Sequence, residues 1–183
     1  MSEKLQPARL ELINGTSFDG WSFGASIPRS GEVVFNTAMT GYPESLTDPS
    51  YKGQVLVATY PLIGNYGVPP VHFKDKLPER FESETIQVEG LVISGQPQAY
   101  SHWNAVKSLG EWLKDSEIPA IWGVDTRALT QLIRDQGCMP GRITLDGQKA
   151  EWYDPASENQ VSRVSCNVRE QYGNGKKRIM LID

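Results

Sequence analysis

The stretch "GEVVFNTAMTGYPESLTDPSYKGQVLVATYP", Gly31 to Pro61, decides the fold. Both of its ends are rich in β-branched and aromatic residues, so Gly31–Thr37 and Gln54–Pro61 read as strands. The second is a nearly continuous apolar run, which predicts a strand covered on both faces. Between them, Met39 to Gly53 holds glycines, prolines, hydroxyls, two phenols and two acids, with no His and no Cys. Such a segment buries little apolar surface for the chain entropy it costs to order. Asp48 precedes Pro49, a pairing that favours a turn, and its carboxylate can accept N–H bonds from two residues on. The local reading is a turn that links two strands and presents Ser50 outward. A hydroxyl there can donate and accept hydrogen bonds. No base lies near it in sequence to make it a nucleophile.

Outward from this stretch the chain alternates strand signals with turn signals. "ARLELI" (Ala8–Ile13) and "SFDGWSFGAS" (Ser17–Ser26) flank Asn14-Gly15, the strongest short hairpin signal. From Leu62 to Glu84, Gly, Pro and charge predict a long surface loop, and long loops in compact domains are often functional. "TIQVEGLVIS" (Thr85–Ser94) returns to strand character, with Gly90 marking a bulge or a close backbone approach. "SLGEWLKDSE" (Ser108–Glu117) has helical spacing, "AIWGV" (Ala120–Val124) is a short strand, and "DTRALTQLIRDQG" (Asp125–Gly137) is the clearest helix. Asp125 or Thr126 can cap its start, and Gly137 can close its end. "GRITL" (Gly141–Leu145) predicts one more strand. Strands come first and helices later, which favours an α+β domain.

Composition sets the outer limits. The 183 residues are 39% hydrophobic, enough for a core without disulfides. The net charge of −4 argues against a nucleic-acid or anionic-membrane surface. No run reaches the roughly 18 apolar residues of a membrane span. The opening "MSEKLQPARLEL" has no apolar signal core, so a cytoplasmic location is expected. Cys138 and Cys166 lie far apart, without CxxC spacing, and are expected as reduced thiols.

Other patterns point to chemistry less directly. "GWSFG" (Gly20–Gly24) matches the nucleophile elbow of serine hydrolases, but Ser22 lies in a strand-like run and no helix follows. His72 and His102 have no second ligand at helical spacing, and a zinc site needs several clustered ligands. No phosphate-cradling glycine loop is present. Asp125 and Arg127 read as a cap and a solvated helix face. No catalytic residue and no metal ligand is assigned, and no cofactor is expected in this chain.

"GEVVFNTAMTGYPESLTDPSYKGQ", followed by "YPLIGNYG", "VEGLVI" and "IPAIWGVDTRALTQLIRDQGCMPGRI", resembles the N-terminal domain of the small, glutamine-using subunit of carbamoyl-phosphate synthetase. The likeness covers about residues 8 to 145 and resumes at "VSRVSCNV" and "KRIMLID". It implies a swivelling β/β/α domain over 1–145, a linker over 146–177, and at 178–183 the first strand of a class I glutamine amidotransferase domain. That further domain would carry a Cys-His-Glu set, so this chain alone is expected to show no glutaminase activity. The resemblance implies a large subunit as partner, which would bind ATP and Mg and make carbamoyl phosphate for arginine and pyrimidine synthesis. It also implies that Ser50 helps bind L-glutamine held by the neighbouring domain. Two other readings stand beside it: an assembly module that touches no ligand, and a small serine hydrolase built on Ser22.

Overall fold

The computed structural model describes residues 5–97 and 99–182. Strands β1 (Pro7–Leu12) and β2 (Ser17–Ser22) form the expected hairpin, with Leu10 opposite Phe18. Its turn holds Gly15 at φ 87°, and the Asn14 side chain accepts the Thr16 N–H at 2.9 Å. Strand β3 (Arg29–Asn36) and β4 (Gln54–Ala58) then run parallel, Val33 opposite Val55. Parallel neighbours cannot be joined by a tight turn and need a crossover. Met39 to Gly53 is that crossover, not the simple turn its composition suggests. It folds as helix α1 (Tyr42–Thr47) and a 3-10 turn, Pro49–Tyr51. Tyr42 and Leu46, one helical turn apart, are the apolar pair that makes a helix worth forming there, and both are buried.

The long loop contains one small hairpin, β5 (Phe73–Lys74) with β6 (Leu77–Pro78). Asp75 and Lys76 both take positive φ in its turn. The expected strand at Thr85–Ser94 is shorter, β7 (Gly90–Ile93), although Ile86 and Val88 upstream are also buried. Gly90 does mark a close approach: a methyl there would lie 2.6 Å from Ile143 Cδ1. Helix α2 (Leu109–Asp115) starts with a capping box between Ser108 and Glu111 and crosses to β8 (Ala120–Trp122), parallel to β7. Helix α3 (Thr126–Gln136) is capped by Asp125, which accepts the Ala128 N–H at 2.9 Å, and is closed by Gly137 at φ 88°. Strand β9 (Met139–Leu145) pairs antiparallel with both β1 and β3. The seven strands thereby close into a barrel in the order β1-β2-β8-β7-β4-β3-β9.

Period-two alternation sorts β4 into two cores, as its apolar run predicted. Val55 and Val57 join Leu10, Val33, Ile121 and Ile143 in a cluster that also takes in Leu129 and Ile133 of α3. Leu56 and Ala58 join Leu91 and Ile93 in a second cluster under α1 and α2, through Leu46, Leu109 and Leu113. A barrel with helices packed over its parallel strands is the mixed β/β/α arrangement expected.

After the barrel come a 3-10 turn, Pro155–Ser157, and helix α4 (Gln160–Val164). Residues 178–182, within the span expected to hold a strand, are exposed and form no ladder. Asp183 at the end of that span, Met1–Lys4 at the start of the expected first domain, and Gln98 lie outside the described residues. Among the described residues, no helix is long and apolar enough to cross a membrane.

Candidate functional site

The crossover between β3 and β4 is braced from beneath. Gly41, at φ 81°, precedes α1 without a side-chain cap. The Tyr66 hydroxyl takes that role: it accepts the Gly41 N–H at 2.9 Å and the Tyr42 N–H at 3.2 Å. The two rings stack with centroids 4.3 Å apart, and the Tyr42 hydroxyl donates to Gly67 O at 2.5 Å. Burial raises both phenols above the usual tyrosine value, Tyr42 the more strongly.

At the other end of α1, Thr47 is buried. Its hydroxyl donates back to Pro43 O at 2.8 Å and accepts the Glu82 N–H at 3.0 Å. Ser83 Oγ donates to Thr47 O at 2.6 Å. Asn36, the last residue of β3, donates to Ser45 Oγ and to the Tyr51 hydroxyl at 3.3 and 3.1 Å. The segment is thus tied to β3, to the long loop and to the second core.

Ser50 sits on the outside of this frame, exposed, in the 3-10 turn. Asp48 Oδ1 accepts both its N–H, at 2.9 Å, and its hydroxyl, at 2.6 Å. The backbone half of that arrangement is the Asp-Pro turn bond expected from sequence. With its proton directed to a carboxylate, the Ser50 oxygen keeps lone pairs for an external N–H donor such as an ammonium or amide. A cavity of about 120 Å³ lies behind α1 among Thr47, Val68, Phe81 and Trp112, and Ser50 does not line it. A ligand reaching Ser50 would therefore be met at the surface.

The remaining candidates stay apart. Ser22 ends β2 opposite Ile121, and the chain continues from it into Phe23 and Gly24 without a helix, so the elbow geometry is absent. His72 is exposed, and His102 Nδ1 accepts the Asn104 N–H at 3.2 Å. Among the described residues, no three His, Cys, Asp or Glu side chains gather as a metal site. Arg127 is exposed as a solvated helix face should be, and Cys138 and Cys166 are both exposed. The sequence reading missed the bracing set of Asn36, Tyr42, Thr47 and Tyr66. The available signal was Gly41-Tyr42-Pro43, a glycine and an early proline that commonly open a helix.

Comparison with known proteins adds the family. Residues 10–143 match the family described as carbamoyl-phosphate synthase small chain, CPSase domain. The arginine-specific small chain of carbamoyl phosphate synthase from Saccharomyces cerevisiae is 46% identical, over 100% of this chain and 46% of that protein. Human mitochondrial carbamoyl-phosphate synthase [ammonia] is 44% identical, over 100% of this chain and 12% of its own length. The multifunctional protein URA2 of the same yeast is 49% identical over 89% of this chain and 8% of that protein. The chain spans less than half the length of each of these relatives. With its matched residues running from the first strand of the barrel to the last, the chain belongs to the carbamoyl-phosphate synthase small-chain family, as its CPSase domain.

Proposed function

We propose that the chain serves as the N-terminal domain of the small subunit of a glutamine-hydrolysing carbamoyl-phosphate synthase, and that Ser50 contacts the glutamine. In the complete enzyme an amidotransferase domain would hold and hydrolyse the glutamine. A large subunit would bind ATP and Mg and use the ammonia to make carbamoyl phosphate. A heterodimeric pairing and a cytoplasmic location belong to the same proposal. One relative is named mitochondrial, and cell fractionation tests the location.

The observation that carries the reading is the Ser50 turn. Its hydroxyl is exposed, oriented by Asp48 at 2.6 Å, and mounted on a braced frame within the family-matched residues. The group that takes its proton is a carboxylate, far too weak a base to ionise a serine hydroxyl on its own, so Ser50 orients a substrate and does not attack it.

The test is Ser50→Ala in the full-length small subunit assembled with its large subunit. A hydrogen bond to a charged group is worth roughly 1.5–3 kcal/mol, so glutamine KM is expected to rise about tenfold or more while kcat changes little. An unchanged KM discards the assignment and leaves a module that assembles subunits without touching ligand.

A further inference from the structure

The chain beyond the barrel does not leave it directly. Arg142 of β9 donates to Ala150 O at 3.1 Å and lies 4.2 Å from the centroid of the Trp152 ring. The Tyr153 N–H donates to Ser30 Oγ at 3.0 Å, and that hydroxyl donates to Gly141 O at 3.0 Å. Two residues later Pro155 is buried, and it is seated on Gly53. A Cβ added to Gly53 would lie 3.1 and 3.2 Å from Pro155 Cβ and Cγ, and 3.3 Å from Gln160 Oε1.

Gly53 is the residue that ends the Ser50 segment. It sits at φ 78°, and its carbonyl accepts the Glu32 N–H at 3.1 Å. It is therefore packed against β3 on one account and against the post-barrel chain on another. The post-barrel chain is locked on itself at the same place. Gln160 Nε2 donates to the Tyr153 hydroxyl at 2.8 Å and to Pro155 O at 2.9 Å. Arg163 donates to the same hydroxyl at 2.6 Å and to Glu158 at 2.9 Å, and the hydroxyl itself donates to Glu158 at 2.9 Å. A polar stretch with no core of its own is ordered by one phenol oxygen and one buried proline.

We propose that Trp152–Val164 is a positioning strap for glutamine binding: Pro155, held by the Tyr153–Gln160–Arg163 lock, fixes Gly53 and so the direction in which Ser50 presents its hydroxyl. The inference rests on the glutamine reading of Ser50. The strap touches no substrate, and its leverage is geometric. Hydrogen bonds are directional, and a misplacement of about 1 Å from a distant change can cost on the order of a hundredfold. The same strap carries the chain onward from the barrel, so it ties the Ser50 turn to whatever the chain does next.

The experiment uses the full-length small subunit assembled with its large subunit. Tyr153→Phe, Pro155→Ala, Ser50→Ala and each pairing with Ser50→Ala are compared for glutamine KM, kcat and synthesis from added ammonium. Tyr153→Phe and Pro155→Ala are each expected to raise glutamine KM about three- to tenfold. Under the same conditions kcat and ammonium-driven synthesis stay within about twofold. On the Ser50→Ala background neither should raise KM further, because the hydroxyl they aim is gone. Tyr153→Phe keeps the backbone bond to Ser30 and carries the test if Pro155→Ala does not fold. Three results overturn the strap while leaving Ser50 in place: unchanged KM in both strap variants, equal loss of ammonium-driven synthesis, or full additivity with Ser50→Ala. If Ser50→Ala alone leaves KM unchanged, the glutamine reading falls, and the strap's role falls with it.

Discussion

Tyr66→Phe removes one oxygen and asks what holds the start of α1. That oxygen accepts two backbone N–H groups, from Gly41 and Tyr42, and Gly41 offers no side chain in its place. The ring stack on Tyr42 survives in Phe, so the change isolates the hydrogen bonds. Leaving a buried donor unpaired costs about 1–3 kcal/mol. Tyr66 is only half-buried, so water recovers part of the loss, and roughly 2 kcal/mol for the pair is expected. Tyr42→Phe orphans one acceptor, Gly67 O, and should cost about 1 kcal/mol. Each kcal/mol shifts Tm by about 2–4 °C in a domain of this size. Thermal or urea unfolding of the chain should therefore rank wild type above Tyr42→Phe above Tyr66→Phe. The alkaline limb gives a second readout. Both folded phenols sit above their unfolded value because burial disfavours the anion. Their protonated forms therefore contribute full stability below about pH 10. That contribution is lost as pH rises further, because the unfolded chain ionises first. Each phenol steepens the loss by up to about 1.4 kcal/mol per pH unit, so each Phe variant should show a shallower fall. The reasoning is refuted if Tyr66→Phe melts with the wild type, or if the alkaline slope is the same in all three proteins.

Two further outcomes test the barrel. A methyl at Gly141 would run into Val33 Cγ2 and come within 3.1 Å of Leu12 Cδ2, both side chains being fully buried. Gly141→Ala should cost about 3 kcal/mol or more, and adding Val33→Ala should recover at least about 1 kcal/mol relative to additivity, measured by a double-mutant cycle in urea. Glu11 is held below the usual carboxylate range by Lys149 at 3.0 Å and by Arg142 at 2.9 Å. Its stabilisation is present above the unfolded value of about pH 4.3 and is lost as pH falls through the folded value. Glu11→Gln should therefore flatten the acid limb of stability, followed by unfolding from pH 6 to about pH 3.

The strands were legible where chemistry was local. Asn14-Gly15 made its hairpin, the β4 run was covered on both faces, and Asp125 and Gly137 bounded α3 as their types require. Closure was not legible, because β9 returns to both β1 and β3 from more than 100 residues away and no local pattern encodes that pairing. Helix α1 was missed for a related reason. Its six residues show a single apolar pair, Tyr42 and Leu46, and a helix that short is marginal on its own. What makes it form is tertiary: β3 and β4 run parallel, so the chain between them must travel the length of the sheet. At the crossover, the Asp48–Ser50 turn bond was legible in the Asp-Pro pairing, whereas the supports at Tyr66, Glu82 and Ser83 come from a loop without periodicity.

Those supports change the account of what Met39–Gly53 is for. By composition, the segment has little apolar surface to offset the entropy of ordering it. In the structure the compensation is internal. Tyr42, Leu46 and Thr47 are buried, and fully burying one large apolar side chain contributes about 1.5–3 kcal/mol. The outward face, where Ser50 stands, bears little of that weight. Its hydroxyl makes one exposed bond, to Asp48, and surface changes of that kind usually stay within about 0.5 kcal/mol. A turn ordered before ligand arrives adds no ordering cost to binding. In Ser50→Ala the stability and the glutamine KM should therefore separate, with Tm nearly unmoved while KM rises. If both moved together, Ser50 would be part of the frame and not what the frame presents.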